Sequence, residues 1–239
     1  MTDKVILALD NMEVAEIKAF LSRWPLTQRP MVKVGLELFC KYGRSLVLEL
    51  HQEFGVKIFL DLKLHDIPNT VAKSIKGLKG LPIDLLTVHL SGGEKMLKMA
   101  IEEAKVSLPQ TKLLGVSILT SLDESDLSAL WDIEKDKINK TFKNLFSLAL
   151  KTGLHGVVCS PHELHIFPEL EEKASHKLIK VTPGIRFEDE ILSGETQDQK
   201  RVTSPSEALN DGANYLVMGR SLTKSKNLDK RIEHLANLK

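Results

Sequence analysis

The sequence predicts a (β/α)8 barrel formed as one domain over residues 1–239. Eight short apolar runs recur along the chain, and each is followed by a helical or loop segment. Polar residues also gather at the C-terminal end of run after run. In a closed barrel those ends ring one mouth, where such folds place their sites. In a doubly wound open sheet, the runner-up architecture, they would be strung along an edge.

Val5 to Asp10 is the first run, apolar until its closing acid, as a strand buried on both faces requires. A helix to about Arg23 follows, turning Ile17, Phe20 and Leu21 inward, with Pro25 beyond its end. Met31 to Gly35 is the second strand, apolar except for Lys33. Phe39, Leu46, Leu50 and Phe54 then recur at helical spacing up to Gly55. Val56 to Lys63 is the third strand, and Pro68 to Lys79 its helix, with proline at a helix start.

Leu85 to His89 is the fourth strand; Ser91-Gly92-Gly93 leads from it into a helix ending near Val106. Lys112 to Leu119 is the fifth. The longer segment 122–152 holds a short helix, Glu124 to Trp131, and a second from about Asn139 to Thr152. Gly156 to Ser160 is the sixth strand, Pro161 to Phe167 a brief helix, and Leu178 to Thr182 the seventh strand. The polar stretch at about 184–202 lacks apolar periodicity, which in a compact domain marks a lid or binding loop. Pro205 to Asn210 is a short helix, Asn214 to Gly219 the eighth strand, and Asn227 to Leu238 the closing helix.

Composition narrows the function. Apolar residues make up 42% and charged residues 27%, as in an ordinary globular chain. Lysine plus arginine (33) nearly balances aspartate plus glutamate (32), so no basic field points to nucleic acid or a membrane surface. No stretch is apolar for the length of a membrane span. The chain runs from Thr2-Asp3-Lys4 straight into a strand, which predicts no signal peptide and a cytoplasmic protein. Cys40 and Cys159 show no CxxC spacing and read as buried structural thiols.

Phe59-Leu-Asp-Leu-Lys63 alternates with period two, so Asp61 and Lys63 share one face and Leu60, Leu62 and Leu64 the other. Lys33, Asp61, Lys63 and Asp66 form an alternating charge array that would hold a protonated lysine where negative charge develops. Each pair also has a bland reading, as an edge ion pair or as an acid favouring the next helix start. Gly219-Arg220-Ser221 after the eighth strand, with Pro183-Gly184-Ile185-Arg186 after the seventh, is placed where barrels bind phosphate. His89 at a strand end reads as a supporting residue, and the remaining histidines as surface or structural ones. No HExxH, GxGxxG or GxxxxGK[ST] pattern is present.

Asp61-Leu-Lys63-Leu-His-Asp66-Ile-Pro-Asn-Thr70 resembles the D-x-K-x-x-D-I-P-N-T signature of the orotidine 5'-phosphate decarboxylases. The resemblance runs nearly end to end. It takes in Leu9-Asp10, Lys33 to Phe39, Val88-His89 with Ser91-Gly-Gly93, Leu119-Thr120-Ser121, Val158 to Glu163, Val181 to Arg186, Asp198 to Arg201 and Val217 to Arg220.

That resemblance implies a (β/α)8 barrel without metal or organic cofactor. It implies that Lys63 protonates C6 of the pyrimidine as carbon dioxide leaves. Asp61 would orient Lys63 near the substrate carboxylate, Lys33 would hold Asp61 and reach the ribose, and Asp10 would bond the ribose hydroxyls. Thr120 and Pro183 would contact the pyrimidine; Arg186, Gln199, Gly219 and Arg220 would hold the phosphate, with Gln197 competing for the place of Gln199. Asp66, Ile67 and Thr70 would reach into a partner's site, which implies an obligate homodimer. Two alternatives stay open: a cousin sharing DxKxxD that acts on a sugar phosphate through magnesium, and a non-catalytic phospholigand-binding barrel.

Overall fold

In the computed structural model, eight parallel strands pair in sequence order and close on themselves. Residues 2–172, 174–192 and 202–238 are described. In chain order the elements are β1 (Val5–Ala8), α1 (Val14–Ser22), β2 (Met31–Gly35), α2 (Leu36–Phe54), β3 (Ile58–Leu64), α3 (Pro68–Gly77), β4 (Leu85–His89) and α4 (Gly93–Ser107). They continue with β5 (Lys112–Val116), α5 (Glu124–Trp131), α6 (Ile138–Thr152), β6 (Gly156–Val158), α7 (Phe167–Glu172), β7 (Ile179–Thr182), α8 (Glu188–Leu192), α9 (Pro205–Asn210), β8 (Tyr215–Met218), α10 (Arg220–Thr223) and α11 (Leu228–Ala236). Closure is made by β1 against β8, pairing Val5 with Leu216, Ile6 with Val217 and Leu7 with Met218. That pairing excludes the open sheet.

Period two sorts each strand into two apolar layers. Val5, Leu7, Val32, Val34, Ile58, Leu60, Leu86 and Val88 point outward and pack under the helices. Ile6, Ala8, Met31, Phe59, Leu85, Leu114, Val181 and Val217 fill the barrel interior. Two residues further along, the same interior parity reaches the mouth and turns polar: Ala8 is followed by Asp10, Met31 by Lys33, Phe59 by Asp61 and Leu85 by Thr87. The apolar interior is thus the floor on which the polar ring stands.

Several boundaries move. The strand ladders end at Ala8, Val116, Val158 and Met218, short of the expected Asp10, Leu119, Ser160 and Gly219. The residues beyond them leave the ladder and build the mouth.

The segment 36–54 is broken at Gly43, which sits at φ +61, so its apolar spacing does not keep one phase. Leu38, not Phe39, therefore joins Leu46, Val47, Leu50 and Phe54 on the buried stripe. Cys40 lies off that stripe and is exposed, which corrects its reading as a buried thiol; Cys159 is buried as expected.

The polar stretch also starts more ordered than expected. Ile185 and Phe187 are buried, and α8 follows them. Its stem is closed by Arg186 N–H donating to the Thr203 carbonyl at 3.1 Å and Thr203 N–H to that of Gly184 at 3.2 Å. Gln197 and Gln199 lie outside the described residues.

Candidate active site

The mouth encloses a cavity of about 380 Å³, a size suited to a small molecule. Asp10, Lys33, Asp61, Lys63, Thr120, Pro183, Arg186, Gly219 and Arg220 all line it. One wall is apolar, made by Val116, Ile118 and Val158, with Phe59 and Val217 also lining the cavity.

The charges alternate along a chain of contacts. Lys33 Nζ lies 2.7 Å from Asp10 Oδ2 and 3.9 Å from Asp61 Oδ2; Lys63 Nζ lies 2.7 Å from that same Asp61 oxygen. Lys33 and Asp61 are only 9% and 7% exposed, so each charge depends on its neighbours for the solvation that water no longer gives. Lys63 is more open, its side chain 38% exposed, and it lines the cavity while bonded to the buried acid. The partner expected for Lys33 was Asp61; its close partner is Asp10.

Two residues that the sequence reading passed over complete this arrangement. Thr87 is fully buried; its Oγ1 donates to Asp61 Oδ1 at 2.9 Å and accepts the Lys63 N–H at 2.8 Å. Here the β3–β4 register shifts between Leu60 and Leu64, and Lys63 adopts φ +49, a left-handed backbone that a lysine seldom takes. Gly35 is the second. A Cβ there would lie 2.5 Å from Asp10 Oδ1 and 2.9 Å from Lys33 Nζ. The only advance signal was parity, since Gly35 shares the inward face of β2 with Lys33.

Gly219 is less confined than Gly35. A Cβ there would meet Ala8 at ordinary contact distances, 3.5 Å and 3.6 Å, so the chain's own packing does not demand glycine. Its bare backbone instead leaves that side of the cavity open beside Arg220, the first residue of α10. Arg186 is buried to 5% exposure and donates to its neighbour's carbonyl, Nη1 to Ile185 O at 2.9 Å.

Asp66, Ile67 and Thr70 do not line this cavity. All three are exposed, Ile67 to 68%, and Asp66 Oδ1 accepts the Ile67 N–H at 2.6 Å. Within this chain, Asp10 rather than Asp66 is therefore the fourth member of the charge array. His89 also lies off the cavity; its ring stacks on His65 at 5.0 Å and its Nδ1 is 2.7 Å from Ser91 Oγ. Burial first, then the nearby His65 and Lys63 charges, push its pKa down to about 4.

The family model described as orotidine 5'-phosphate decarboxylase / HUMPS family matches residues 3–235. The chain belongs to that family. It is 40% identical over 235 residues to the orotidine 5'-phosphate decarboxylase of Ehrlichia chaffeensis, covering 98% of this chain and 96% of that one. Against the enzyme of the same name from Staphylococcus saprophyticus the identity is 39% over 227 residues, covering 95% and 94%. The crystal structure of orotidine 5'-phosphate decarboxylase from Lactobacillus acidophilus superimposes with a TM-score of 0.79 at 33% identity, covering 98% and 97%. An uncharacterized conserved protein from Geobacillus kaustophilus does so with 0.76, also at 33% identity. The family membership covers the barrel and the DxKxxDIPNT stretch alike.

Proposed function

We propose that this chain decarboxylates orotidine 5'-phosphate to uridine 5'-phosphate and carbon dioxide, the last step of de novo pyrimidine nucleotide synthesis. The observation that carries the reading is Lys63 Nζ held 2.7 Å from the buried carboxylate of Asp61 at the mouth of a family barrel. The C6–carboxylate bond breaks, its electron pair stays on C6, and the Lys63 ammonium gives C6 a proton. A positive charge fixed in advance stabilises the carbanion more than the spread charge of the bound carboxylate, which is what lowers the barrier.

The other residues take roles by position. Asp61 orients Lys63 near the departing carboxylate, and Asp10 with Lys33 binds the ribose hydroxyls. Thr120 and Pro183 contact the pyrimidine, whose flat ring suits the apolar wall. Arg186, Arg220 and the Gly219 backbone hold the phosphate, joined by Gln199 from a lid at about 184–202. Asp66, Ile67 and Thr70 serve the partner's site in a cytoplasmic homodimer, and the exposure of Ile67 supports that assignment. The chemistry asks for no metal or organic cofactor.

The test is incubation with orotidine 5'-phosphate in excess chelator, following loss of orotate absorbance and release of carbon dioxide. Full turnover is expected, and Lys63→Ala lowers it by about 10³-fold or more while the barrel stays folded. No turnover of orotidine 5'-phosphate, either in chelator or with magnesium restored, would overturn the decarboxylase reading.

A further inference from the structure

We infer that Thr87 is a positioning residue for this reaction, the group that holds both ends of Lys63 in place; this rests on the decarboxylase reading above. A hydroxyl has one proton to give. Because Thr87 Oγ1 accepts the Lys63 N–H, at 2.8 Å, its own proton is directed to Asp61 Oδ1, at 2.9 Å. Asp61 Oδ2 in turn accepts from Lys63 Nζ at 2.7 Å. The bonds close a ring: Lys63 backbone to Thr87, Thr87 to Asp61, Asp61 to the Lys63 side chain.

Each link has a physical consequence. The Lys63 N–H lies where the β3–β4 register shifts, and at φ +49 its backbone is in a costly conformation. The threonine hydroxyl compensates by taking that N–H. On the other side, a carboxylate rotates about its terminal bond unless both oxygens are engaged. With Oδ1 held by Thr87, Oδ2 is the oxygen turned to the lysines, and Lys63 Nζ is fixed over it. Burial of Thr87 keeps water from replacing the hydroxyl. The hydroxyl thus sets the angle at which the ammonium meets the substrate, without touching the substrate; Thr87 is not among the residues lining the cavity.

Thr87→Val removes the hydroxyl and keeps the shape. The expected result is a kcat lower by about 10- to 100-fold, as for loss of a hydrogen bond to a charged group, with KM within about threefold of wild type. Thr87→Ser restores the hydroxyl and is expected to recover kcat to within about threefold of wild type. Circular dichroism and thermal melting report whether each variant folds. If the valine variant does not fold, Thr87→Cys, whose thiol is a weak donor, is compared with Thr87→Ser. Wild-type kcat in the valine variant, or equal kcat in the cysteine and serine variants, overturns the inference. Wild-type protein assayed in parallel separates the outcomes: an inactive wild type refutes the decarboxylase reading, whereas an active wild type with an indifferent residue 87 refutes only the role of Thr87.

Discussion

Lys33 of β2 and Asp10, just past the end of the neighbouring β1, meet at 2.7 Å in the space that the missing side chain of Gly35 leaves open. Gly35 itself has φ −85 and ψ −177, a conformation open to any residue, so its role is spatial and not conformational. Gly35→Ala is therefore expected to displace the tips of two side chains and leave the barrel standing. The predicted outcome is a fall in kcat/KM of about 10- to 100-fold, with a melting temperature close to wild type. Steady-state kinetics beside a thermal melt checks it; a variant of unchanged kcat/KM would remove the Asp10–Lys33 pair from substrate binding.

His89 should make the fold sensitive to acid. Its pKa falls from the ordinary 6.5 to about 4 in the folded chain, because it is half-buried and faces His65 and Lys63. The unfolded chain therefore takes up a proton first as pH drops. Above about pH 6.5 the site costs nothing; between there and about pH 4 stability is lost, and below about pH 4 the loss is complete. His89→Phe keeps a ring against His65 but cannot titrate. Its melting temperature is expected to fall less than that of wild type over this window, and parallel curves would show that His89 is not the sensor.

Arg231 joins the last helix to α8 and α10. Its Nη1 donates to the Ser221 carbonyl at 2.6 Å and lies 3.0 Å from Glu190 Oε2; Nη2 lies 2.9 Å from Asp189 Oδ2, and the guanidinium stacks 4.3 Å from the Phe187 ring centre. A lysine cannot reproduce this fork and stack. Arg231→Lys is expected to raise KM for orotidine 5'-phosphate about tenfold and to cost about 2 kcal/mol of stability, with kcat changed less. Orotidine without its phosphate serves as control: the same loss on that substrate would mean that Arg231 supports the whole barrel and not the phosphate grip.

The barrel and half of its site were legible because both follow one rule, period two. That rule placed Asp61 with Lys63 and made the strand ends converge, and the closed sheet obeys it. Thr87 was not legible, since a threonine inside an apolar strand is an ordinary β-former and its bonds go to a neighbouring strand whose register shifts. Gly35 read as a strand end because the clash that excludes a side chain is with Asp10, remote in sequence. Cys40 and Phe39 were misplaced by a backbone event, the left-handed Gly43, that shifts the helical phase. The pairing of Lys33 with Asp10 was hidden for another reason: one lysine with two acids in reach has no preferred partner until distances decide.

The proposed sharing of the DxKxxDIPNT stretch between two subunits gives the last prediction. Asp61 and Lys63 line the cavity of their own barrel, while Asp66, Ile67 and Thr70 face outward. If those three complete a partner's site, Asp66→Asn and Lys63→Ala should each be nearly inactive alone. Mixed in equal amounts with free exchange, half of the dimers are hybrids. In each hybrid one site combines an intact Lys63 with the other subunit's intact Asp66, and the second site lacks both. Activity of about one quarter of wild type is therefore expected from a two-fold dimer. The measurement is decarboxylation after mixing, with subunits of different mass tags to prove exchange. Proven exchange without recovered activity would return Asp66 to its simpler role at the start of α3.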